Sequence, residues 1–448
     1  MIKVITYGSF DMLHYGHIRL LERAKVLGDY LVVGVTSDDY DKVRGKINLQ
    51  QSLMERVESV KATGIPDEVI IEEYEGQKID DIKRLGIDIF TVGSDWAGYF
   101  DYLREYCQVV YLDRTQGISS SEIRSKKRSI KIGLVGEEEG RILNKYFDEA
   151  NVVNGIHVSG ICTINKKLRE EIGERLSFVT DDYYALLDKS DAVYIISHPR
   201  EHYDQIKAAL LKGKHVLVET PITLHESQCA ELFQIAGQNK LILMEALKTA
   251  YATAYNRLLL LIKSKKIGKV VSVDATCTSL REINSQNAGY NQIWNSICAW
   301  GPTALLPIFQ ILGTEYTEAI IHTYYYDKRN KFDAFTKIDF TYKNAVASIK
   351  VGRGVKSEGE LIITGTKGYI YVPAPWWKTD YFEIRYENSE ENKRYFYQLE
   401  GEGIRYELVA FSKAIDSGKN LAYIKENESL AICRIMNQYF EGKNIEII

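Results

Sequence analysis

The chain has 448 residues, of which 45% are hydrophobic and 26% charged, and its formal net charge is −4 from 57 basic and 61 acidic side chains. This length predicts two or three domains, and the balanced charge gives no support for nucleic-acid binding. No apolar run approaches the roughly 18 residues of a spanning helix, so no membrane insertion is expected. The six cysteines lie far apart without a Cys-x-x-Cys pair, and the chain starts directly with a strand pattern. We therefore expect a cytoplasmic protein without a signal peptide, disulfides or structural zinc.

The first functional pattern in chain order is the tetrapeptide His14-Tyr15-Gly16-His17. A strand is predicted at 2–7, and helical spacing of apolar residues follows from Ile18, which places His17 in the first turn of a helix. Unpaired amides and the helix dipole attract anions there, and Gly16 lets a nucleotide approach the backbone. Two imidazoles in this position favour nucleotidyl or phosphoryl transfer, whereas a single histidine is more often structural.

Later segments add polar and basic groups to this pattern. Residues 114–121 follow a predicted strand at 109–112 and offer a guanidinium, hydroxyls and amides at a second helix start. Arg44, Lys46 and Arg56 supply further cations. Asp95 ends another predicted strand beside Trp96, an aromatic side chain suited to a base or ribose.

Segments 6–34, 93–101 and 109–124 resemble, in order and spacing, the glycerol-3-phosphate cytidylyltransferases, small nucleotidyltransferases with a His-x-Gly-His signature. The resemblance covers residues 1–125 and implies transfer of CMP from CTP to a small phosphorylated alcohol, with release of pyrophosphate. The product would be a CDP-activated precursor for a surface polysaccharide or a teichoic-acid-like polymer. Mg²⁺ bound with CTP is the implied cofactor.

The same resemblance implies roles for individual residues. The implied catalytic residues are His14, His17, Lys46 and Arg114. The implied nucleotide-binding residues are Tyr7, Gly8, Ser9, Phe10, Asp11, Gly16, Arg44, Arg56, Gly93, Asp95, Thr115, Ile118, Ser119 and Ser120. Asp11 and Asp95 are also the candidate contacts to magnesium.

Two departures from the family's pattern leave the acceptor open. Close relatives carry an arginine just before an Asp-Glu-Val segment, whereas residues 61–66 of this chain contain none. The basic loop before Arg56 also differs in length. Both changes lie where the acceptor phosphate would bind, so glycerol 3-phosphate and another polyol phosphate fit equally well.

A second alternation of strands and helices begins after a basic linker at 126–128. Strands predicted at 130–135, 157–163, 192–197 and 215–219 favour a parallel, doubly wound sheet. Segments 191–224 and 358–372 resemble the Gfo/Idh/MocA oxidoreductases, which implies a Rossmann domain at 129–246 and an α+β domain on a mostly antiparallel sheet at 247–448. The predicted fold class is α/β, with a Rossmann-like nucleotidyltransferase domain at 1–125 ahead of these two domains.

The dinucleotide site that this second family implies is predicted to be degenerate. Gly133 and Gly136 are kept, but Glu138 stands where a second glycine lets the pyrophosphate approach the backbone. Its bulk and charge oppose a dianion. Thr220 stands in place of the family's catalytic lysine. We therefore do not expect ordinary NAD(P) binding.

Other proton-transfer groups of the family are also replaced. Ala299 and Thr303 stand where the family has an acid and a histidine, and neither side chain moves protons near neutral pH. His202 fits the family's helix-start histidine and is expected to be structural. Lys248 is the candidate base should some activity persist, with a surface lysine as the alternative.

The last region predicts a sheet and a helical tail. Residues 337–349 alternate apolar and polar side chains as a half-buried antiparallel strand does. Residues 406–439 have helical spacing and are expected to pack on the Rossmann half. Since the open sheet face commonly builds dimers in the resembling family, a homodimer is expected.

Three functional hypotheses follow. The leading one is a cytidylyltransferase fused to a degenerate oxidoreductase-like half. In the alternative, the C-terminal half is an active NAD(P)-dependent reductase that makes or modifies the acceptor. A sensor in which both halves only bind ligands is the third.

Overall fold

The structure is a computed structural model of the chain. It describes residues 1–448 except 44–48, 50, 75, 114–128, 137–140, 154, 174, 177, 281–294, 398, 400 and 421, and it leaves undescribed the side chains of Asp39, Lys42, Val43, Asp95, Arg141 and Ile142. The chain folds into two compact units, Met1–Ser129 and Ile130–Ile448. The predicted linker at 126–128 lies outside the described residues, and the finer domain boundaries stay predictions.

The N-terminal unit is built on a five-stranded parallel sheet. Its strands are β1 (Lys3–Gly8), β2 (Tyr30–Thr36), β3 (Glu68–Glu72), β4 (Ile89–Gly93) and β5 (Gln108–Leu112). Its helices are α1 (Tyr15–Val26), α2 (Asp38–Val43), α3 (Leu53–Ala62) and α4 (Gln77–Leu85), with 3₁₀ turns at Ser94–Trp96 and Asp101–Glu105. The sheet order β3-β2-β1-β4-β5 makes β1 the central strand. The loop that follows β1 therefore leaves the middle of the sheet's carboxyl edge.

The sequence of β1 and α1 explains this placement. Val4 and Ile5 are completely buried, as expected for a parallel strand covered on both faces. Leu21 and Ala24, one helical turn apart on α1, join Val4 in the same hydrophobic cluster. The helix is thereby fixed against the sheet, and its amino end lies at the carboxyl edge.

The C-terminal unit begins with a six-stranded parallel sheet of order β11-β10-β9-β6-β7-β8. Its strands are β6 (Ile130–Val135), β7 (Ile156–Cys162), β8 (Val179–Thr180), β9 (Ala192–Ile195), β10 (His215–Glu219) and β11 (Leu243–Ala246). Its helices are α5 (Arg141–Val152), α6 (Lys166–Gly173), α7 (Tyr183–Lys189), α8 (Pro199–Leu211) and α9 (Glu226–Gln238). This is the doubly wound arrangement that the sequence predicts.

The rest of the unit is a large mixed sheet with helices. Its order is β20-β19-β18-β17-β12-β15-β14-β13-β21, with β16 beside β12. The strands are β12 (Val270–Leu280), β13 (Glu318–Asp327), β14 (Phe332–Tyr342), β15 (Ala345–Gly352), β16 (Gly354–Val355), β17 (Leu361–Gly365), β18 (Tyr369–Val372), β19 (Tyr381–Arg385), β20 (Lys393–Phe396) and β21 (Ile445–Ile447). The helices are α10 (Lys248–Tyr251), α11 (Thr253–Lys263), α12 (Ser296–Leu312), α13 (Ile404–Ser417) and α14 (Glu426–Glu441), with 3₁₀ turns at Trp376–Lys378, Ser389–Glu391 and Gly401–Gly403. The described pairings are antiparallel except β12 with β15 and β13 with β21. The predicted fold class is confirmed.

One predicted element differs from the structure. Residues 337–349 form parts of two strands, β14 and β15, joined through Lys343 and Asn344. The helical spacing of 406–439 is confirmed, and the region holds two helices, α13 and α14. The predicted packing on the Rossmann half is present, because Arg405 donates to the Glu149 carboxylate of α5 at 2.7 Å and 3.2 Å.

Among the described residues, every helix is too short or too polar to cross a lipid bilayer.

Candidate active site

The histidine pair lies at the amino end of α1. His14 is the N-cap residue, and its Nδ1 accepts a hydrogen bond from the Gly16 amide at 3.0 Å. In a neutral imidazole this makes Nε2 the protonated, donating nitrogen. The ring of His17 stacks on that of His14 with the centroids 3.9 Å apart. The two rings thus stand together where the helix amides and dipole favour an anion.

The loop between β1 and α1 has a constrained backbone. Phe10 and Met12 both adopt left-handed conformations, with φ of 50° and 51°. Such conformations are costly for residues other than glycine and cluster at functional sites. The Phe10 ring is 1% exposed and meets His17 edge to face at 5.5 Å. The loop therefore holds the Phe10 ring against one side of the His17 ring.

Arg56 lies behind this loop rather than in the site. Its side chain is completely buried, and its guanidinium donates to the carbonyl oxygen of Ser9 at 2.7 Å. It also pairs with Asp38 at 2.5 Å and with Asp41 at 3.5 Å. This placement departs from the predicted nucleotide contact, because two carboxylates already neutralise the guanidinium. Arg56 instead ties the loop to α2 and α3.

A cavity of about 230 Å³ opens beside the histidine pair. Of the predicted residues, its lining includes Tyr7, Gly8, Ser9, Phe10, His17 and Gly93. The other lining residues are Leu20, Lys78, Val92, Trp96 and Phe100. Tyr7 fits there because its cross-strand partner is Gly34, where any Cβ would collide with the ring.

Lys78 is a lining residue that sequence reasoning missed. It comes from α4, is 4% exposed, and pairs with the Glu72 carboxylate. Its ammonium also lies 4.6 Å from the centre of the Tyr7 ring and 5.4 Å from that of Phe100. The Tyr7 hydroxyl donates to the Asp81 carboxylate at 3.0 Å. Burial, and next the charge of Asp81, raise the pKa of Tyr7. In the sequence, Lys78 could have been identified as a site residue only from its position in the first turn of a helix that follows a parallel strand.

Asp11 is not among the described residues that line this cavity. It is 1% exposed, and its carboxylate accepts a hydrogen bond from the Gln51 amide at 3.0 Å. Within the described part of the chain, no group of three or more His, Cys, Asp or Glu is arranged to hold a metal. The remaining predicted residues Arg44, Lys46, Arg114, Thr115, Ile118, Ser119 and Ser120 lie outside the described residues, as does the side chain of Asp95.

A second cavity, of about 370 Å³, lies in the C-terminal unit. Its described lining comprises Lys145, Tyr146, Ile196, Glu219, Thr220, Ala246, Leu247, Lys248, Thr249, Ala299, Trp300, Thr303, Arg353, Trp377, Lys378 and Glu402. The three replaced positions, Thr220, Ala299 and Thr303, thus meet at one site. Lys248 also faces it rather than being a plain surface lysine.

The dinucleotide turn of this unit is described only in part. A Cβ at Gly133 would lie 2.7 Å from the Ser190 hydroxyl, and one at Gly136 would lie 2.7 Å from Leu143. Both glycines are therefore required for close packing of the strand and helices, whatever binds above them. Glu138 lies outside the described residues.

The polar side chains on and near Thr220 have hydrogen-bond partners within the protein. The Thr220 hydroxyl donates to the buried Glu245 carboxylate. His202 is completely buried, with its ring nitrogens 2.9 Å and 2.8 Å from the carbonyl oxygens of Pro221 and Ser197. Burial lowers the pKa of His202. These contacts agree with the structural role expected for this histidine.

Comparison with known proteins places both units in families. A cytidylyltransferase-like family model matches residues 5–126. A second model, of the oxidoreductase family with an NAD-binding Rossmann fold (Gfo/Idh/MocA), matches residues 130–247.

Similar proteins cover the N-terminal unit over their full or nearly full length. Glycerol-3-phosphate cytidylyltransferase of Bacillus spizizenii is 48% identical over 130 residues, covering 29% of this chain and 100% of that protein. The protein of the same description from Staphylococcus aureus is 43% identical over 130 residues, covering 28% of this chain and 95% of its own.

Similar solved structures cover the C-terminal unit. KijD10, a 3-ketoreductase from Actinomadura kijaniata, aligns with a TM-score of 0.61 at 19% identity, covering 72% of this chain and 100% of that one. GnnA, a UDP-N-acetylglucosamine 3-dehydrogenase from Acidithiobacillus ferrooxidans, aligns with a TM-score of 0.58 at 16% identity, covering 70% and 98%. At these identities the likeness shows the fold alone.

The motif, the site geometry and the full-length relatives agree for the first unit, and the family model agrees with the Rossmann topology for the second. The chain belongs to the cytidylyltransferase family through its N-terminal unit, which it joins to a domain of the Gfo/Idh/MocA oxidoreductase family.

Proposed function

We propose that the N-terminal unit transfers CMP from CTP to a small phosphorylated alcohol and releases pyrophosphate. The observation that carries this proposal is the stacked pair of His14 and His17 at the amino end of α1, beside a cavity large enough to admit part of a nucleotide. An oxygen of the acceptor phosphate would attack the α-phosphorus of CTP, and the bond to pyrophosphate would break. Donors fixed before the reaction stabilise the charge that develops on that phosphorus.

We propose a separate role for each of the site residues. The Nε2 of His14 and the ring of His17 would contact the phosphates above the helix amides. Lys78 lines the same cavity, but its ammonium already pairs with the buried Glu72 carboxylate. We therefore propose that Lys78 positions the Tyr7 and Phe100 rings rather than binding a phosphate. Lys46 and Arg114 remain the proposed cations for the triphosphate.

Magnesium would enter this site with CTP. Asp11 already binds the Gln51 amide and is almost completely buried, so it is poorly placed to be a direct ligand. Asp95, in the 3₁₀ turn that follows β4, is the residue that we propose for the metal.

The acceptor is proposed to be glycerol 3-phosphate or another polyol phosphate. The names of the full-length relatives favour glycerol 3-phosphate. Residues 61–66, however, lack the arginine that the family resemblance places before the Asp-Glu-Val segment. The product would be a CDP-activated precursor for a surface polymer.

Pyrophosphate release from CTP with a panel of polyol phosphates tests this proposal. We expect turnover with at least one acceptor and its loss in His17→Ala. His157→Ala is the matched control, because His157 is exposed in the other unit. If His17→Ala retains full turnover while its fold is intact, the assigned site is wrong.

For the C-terminal half, we infer that ordinary hydride chemistry has been lost. Thr220, Ala299 and Thr303 line one cavity and none of them carries a group that exchanges protons near neutral pH. At these three positions the cavity therefore lacks the proton-transfer groups of the resembling family. An active reductase is the alternative, favoured by the family match and by Lys248 in the same cavity.

Titration of the full chain with NADH and NADPH, followed by nicotinamide fluorescence, separates these two possibilities. We expect no saturable binding at micromolar concentrations. Saturable binding together with oxidation of NADPH by a keto-polyol phosphate would establish the alternative.

A homodimer is the assembly that we propose. Tyr324 and Tyr326 of β13 and Val346 of β15 are 53%, 46% and 53% exposed on the large sheet. Tyr324 and Tyr326 are two residues apart on one strand, and exposed apolar side chains that lie close together are typical of an interface. Light scattering after gel filtration should give twice the chain mass.

A further inference from the structure

The loop between β1 and α1 is bound from one side by the segment that leads into α3. The Met12 amide donates to the Gln51 side-chain oxygen Oε1 at 2.7 Å. The Gln51 amide donates in return to the Asp11 carboxylate at 3.0 Å. These two hydrogen bonds run in opposite directions between the same two segments, which are distant in the sequence. The pair is called the Gln51 clamp below.

The loop needs an outside contact at this point. Met12 adopts a left-handed backbone conformation with φ of 51°, and Phe10 does so with φ of 50°. Residues other than glycine pay an energetic cost for this conformation, so it persists only where surrounding contacts hold it. The Gln51 clamp supplies such a contact at the Met12 amide itself. Since His14 follows shortly after Met12, the conformation held here determines how the chain enters α1.

The start of α3 is itself fixed, so it can hold the loop. The Ser52 hydroxyl accepts from the Glu55 amide at 3.4 Å, and the Glu55 carboxylate accepts from the Ser52 amide at 2.7 Å, which is a capping box. In the next turn the buried Arg56 guanidinium donates to the Ser9 carbonyl at 2.7 Å. Leu53 packs against the hydrophobic core of the unit. The clamp is therefore anchored on a helix end that its cap and the core keep in place.

The Gln51 clamp also joins two parts of the proposed site. Met12 belongs to the loop that leads into the histidine pair. Gln51 ends the segment that carries Lys46, a cation proposed for the triphosphate. Gln51 is not among the described residues that line the cavity beside His17. Its contribution to the reaction would therefore be made through the loop and not by contact with a substrate.

We propose that Gln51 is a positioning residue for cytidylyl transfer, which holds the loop through Met12 and Asp11 so that His14 and His17 face the α-phosphorus of CTP. The inference rests on the proposed function and deepens it, because it assigns the placement of the histidine pair to a side chain outside the cavity. It also gives the buried Asp11 carboxylate a role that needs no contact with the nucleotide or magnesium. Donors that stabilise a transition state must be fixed before the reaction, and a small displacement of them is costly.

Steady-state pyrophosphate release by Gln51→Met tests the proposal. Methionine is an unbranched side chain like glutamine, but its thioether is only a weak acceptor, so the Met12 amide loses its partner. We expect kcat to fall roughly 10- to 100-fold while KM for CTP changes less than about threefold, because the groups that contact CTP are still present. Gln108→Met should keep the wild-type kcat and is the matched control, since Gln108 is an exposed glutamine of the same unit.

A second substitution distinguishes positioning from a merely structural contribution. Glycine adopts a left-handed conformation without the cost that methionine pays. The double variant Gln51→Met/Met12→Gly should therefore recover most of the kcat that Gln51→Met loses. A structural contribution alone would lower the urea midpoint of Gln51→Met and leave its kcat unchanged.

Hydrogen exchange over residues 8–14 checks the clamp without any turnover. The Met12 amide should exchange faster in Gln51→Met than in the wild type, because it has lost its acceptor. Equal exchange in the two proteins would overturn the inference. A wild-type kcat in Gln51→Met, in a protein that transfers CMP, would overturn it too and leave the proposed function standing. If the wild type transfers CMP to no acceptor, the proposed function fails and the role of Gln51 fails with it.

Discussion

The imidazole rings of His14 and His17 stack with their centroids 3.9 Å apart, and His14 simultaneously accepts the Gly16 amide at 3.0 Å. One histidine therefore both caps α1 and holds the second ring in place. The His14 side chain thus stabilises the start of the helix and is proposed to bind a phosphate, and substitution can separate these two roles.

Replacement of His14 by asparagine and by alanine distinguishes these two roles. Asparagine can accept the Gly16 amide, so His14→Asn should keep the wild-type unfolding temperature while turnover falls by about 10²–10³-fold. His14→Ala should lose the same activity and also about 1 kcal/mol of unfolding free energy. Steady-state pyrophosphate release and urea unfolding measure the two effects. Full turnover by His14→Asn would show that the imidazole acts only as a cap.

Arg56→Met should destabilise the N-terminal unit strongly. The completely buried guanidinium pairs with Asp41, which is also buried, and with Asp38. Removing one partner leaves an uncompensated charge, so we expect the free energy of unfolding to fall by about 3–5 kcal/mol. Arg104→Met is the control, because Arg104 is half exposed and pairs only at the surface. Equal urea midpoints for the two variants would contradict the role assigned to Arg56.

The stability of the C-terminal unit should depend on the protonation of Asp333. Burial raises the pKa of this carboxyl from 3.8 to about 6, against hydrogen bonds from Thr336 and the Ile297 amide. The folded state then holds the proton more tightly than the unfolded state, so stability falls as pH rises from about 4 to about 6 and stays reduced above that.

Asp333→Asn removes this ionisation. The variant should gain unfolding free energy relative to wild type as the pH is raised from 4 to 7, by roughly 3 kcal/mol on the relation of 1.36 kcal/mol per pKa unit. Urea unfolding at several pH values measures the difference. Asp380→Asn, at an exposed position, should show no such trend. A difference between Asp333→Asn and wild type that is independent of pH would contradict the prediction.

Tyr194→Phe should loosen α13 from the Rossmann sheet. The completely buried Tyr194 hydroxyl donates to the Glu407 carboxylate at 2.6 Å. Burial, and next the nearby Glu219 charge, raise the pKa of Glu407 well above its ordinary value, and the hydrogen bond from Tyr194 opposes this rise. We expect a loss of about 1–3 kcal/mol in unfolding free energy. Tyr184→Phe, at a tyrosine that is 55% exposed, should change little.

Local patterns were sufficient for much of the fold. The start of α1 was predictable because a helix cap and its first turn depend on residues within a few positions of each other, as His14 and Gly16 do. The parallel strands β6 and β10 were found at their observed bounds, since each is a short apolar run. The turn at 343–344 was missed because neither Lys343 nor Asn344 gives the glycine or proline signal that usually marks a hairpin.

Contacts between distant positions were decided by the tertiary structure. The sequence presents Arg56 and Lys78 simply as cations, and nothing near Arg56 in the chain reveals that it binds the Ser9 carbonyl 47 residues away. Lys78 reaches the cavity because α4 packs against the central strand, where Ile82 shares a hydrophobic cluster with Ile5. Likewise Glu402 meets Lys145 across more than 250 residues. The sequence by itself determined the families, the layered α/β architecture and the histidine motif, because these depend on short-range periodicity and spacing. Which charges are neutralised inside the protein and which face a cavity depends on packing between remote segments, and the tertiary structure alone decided that.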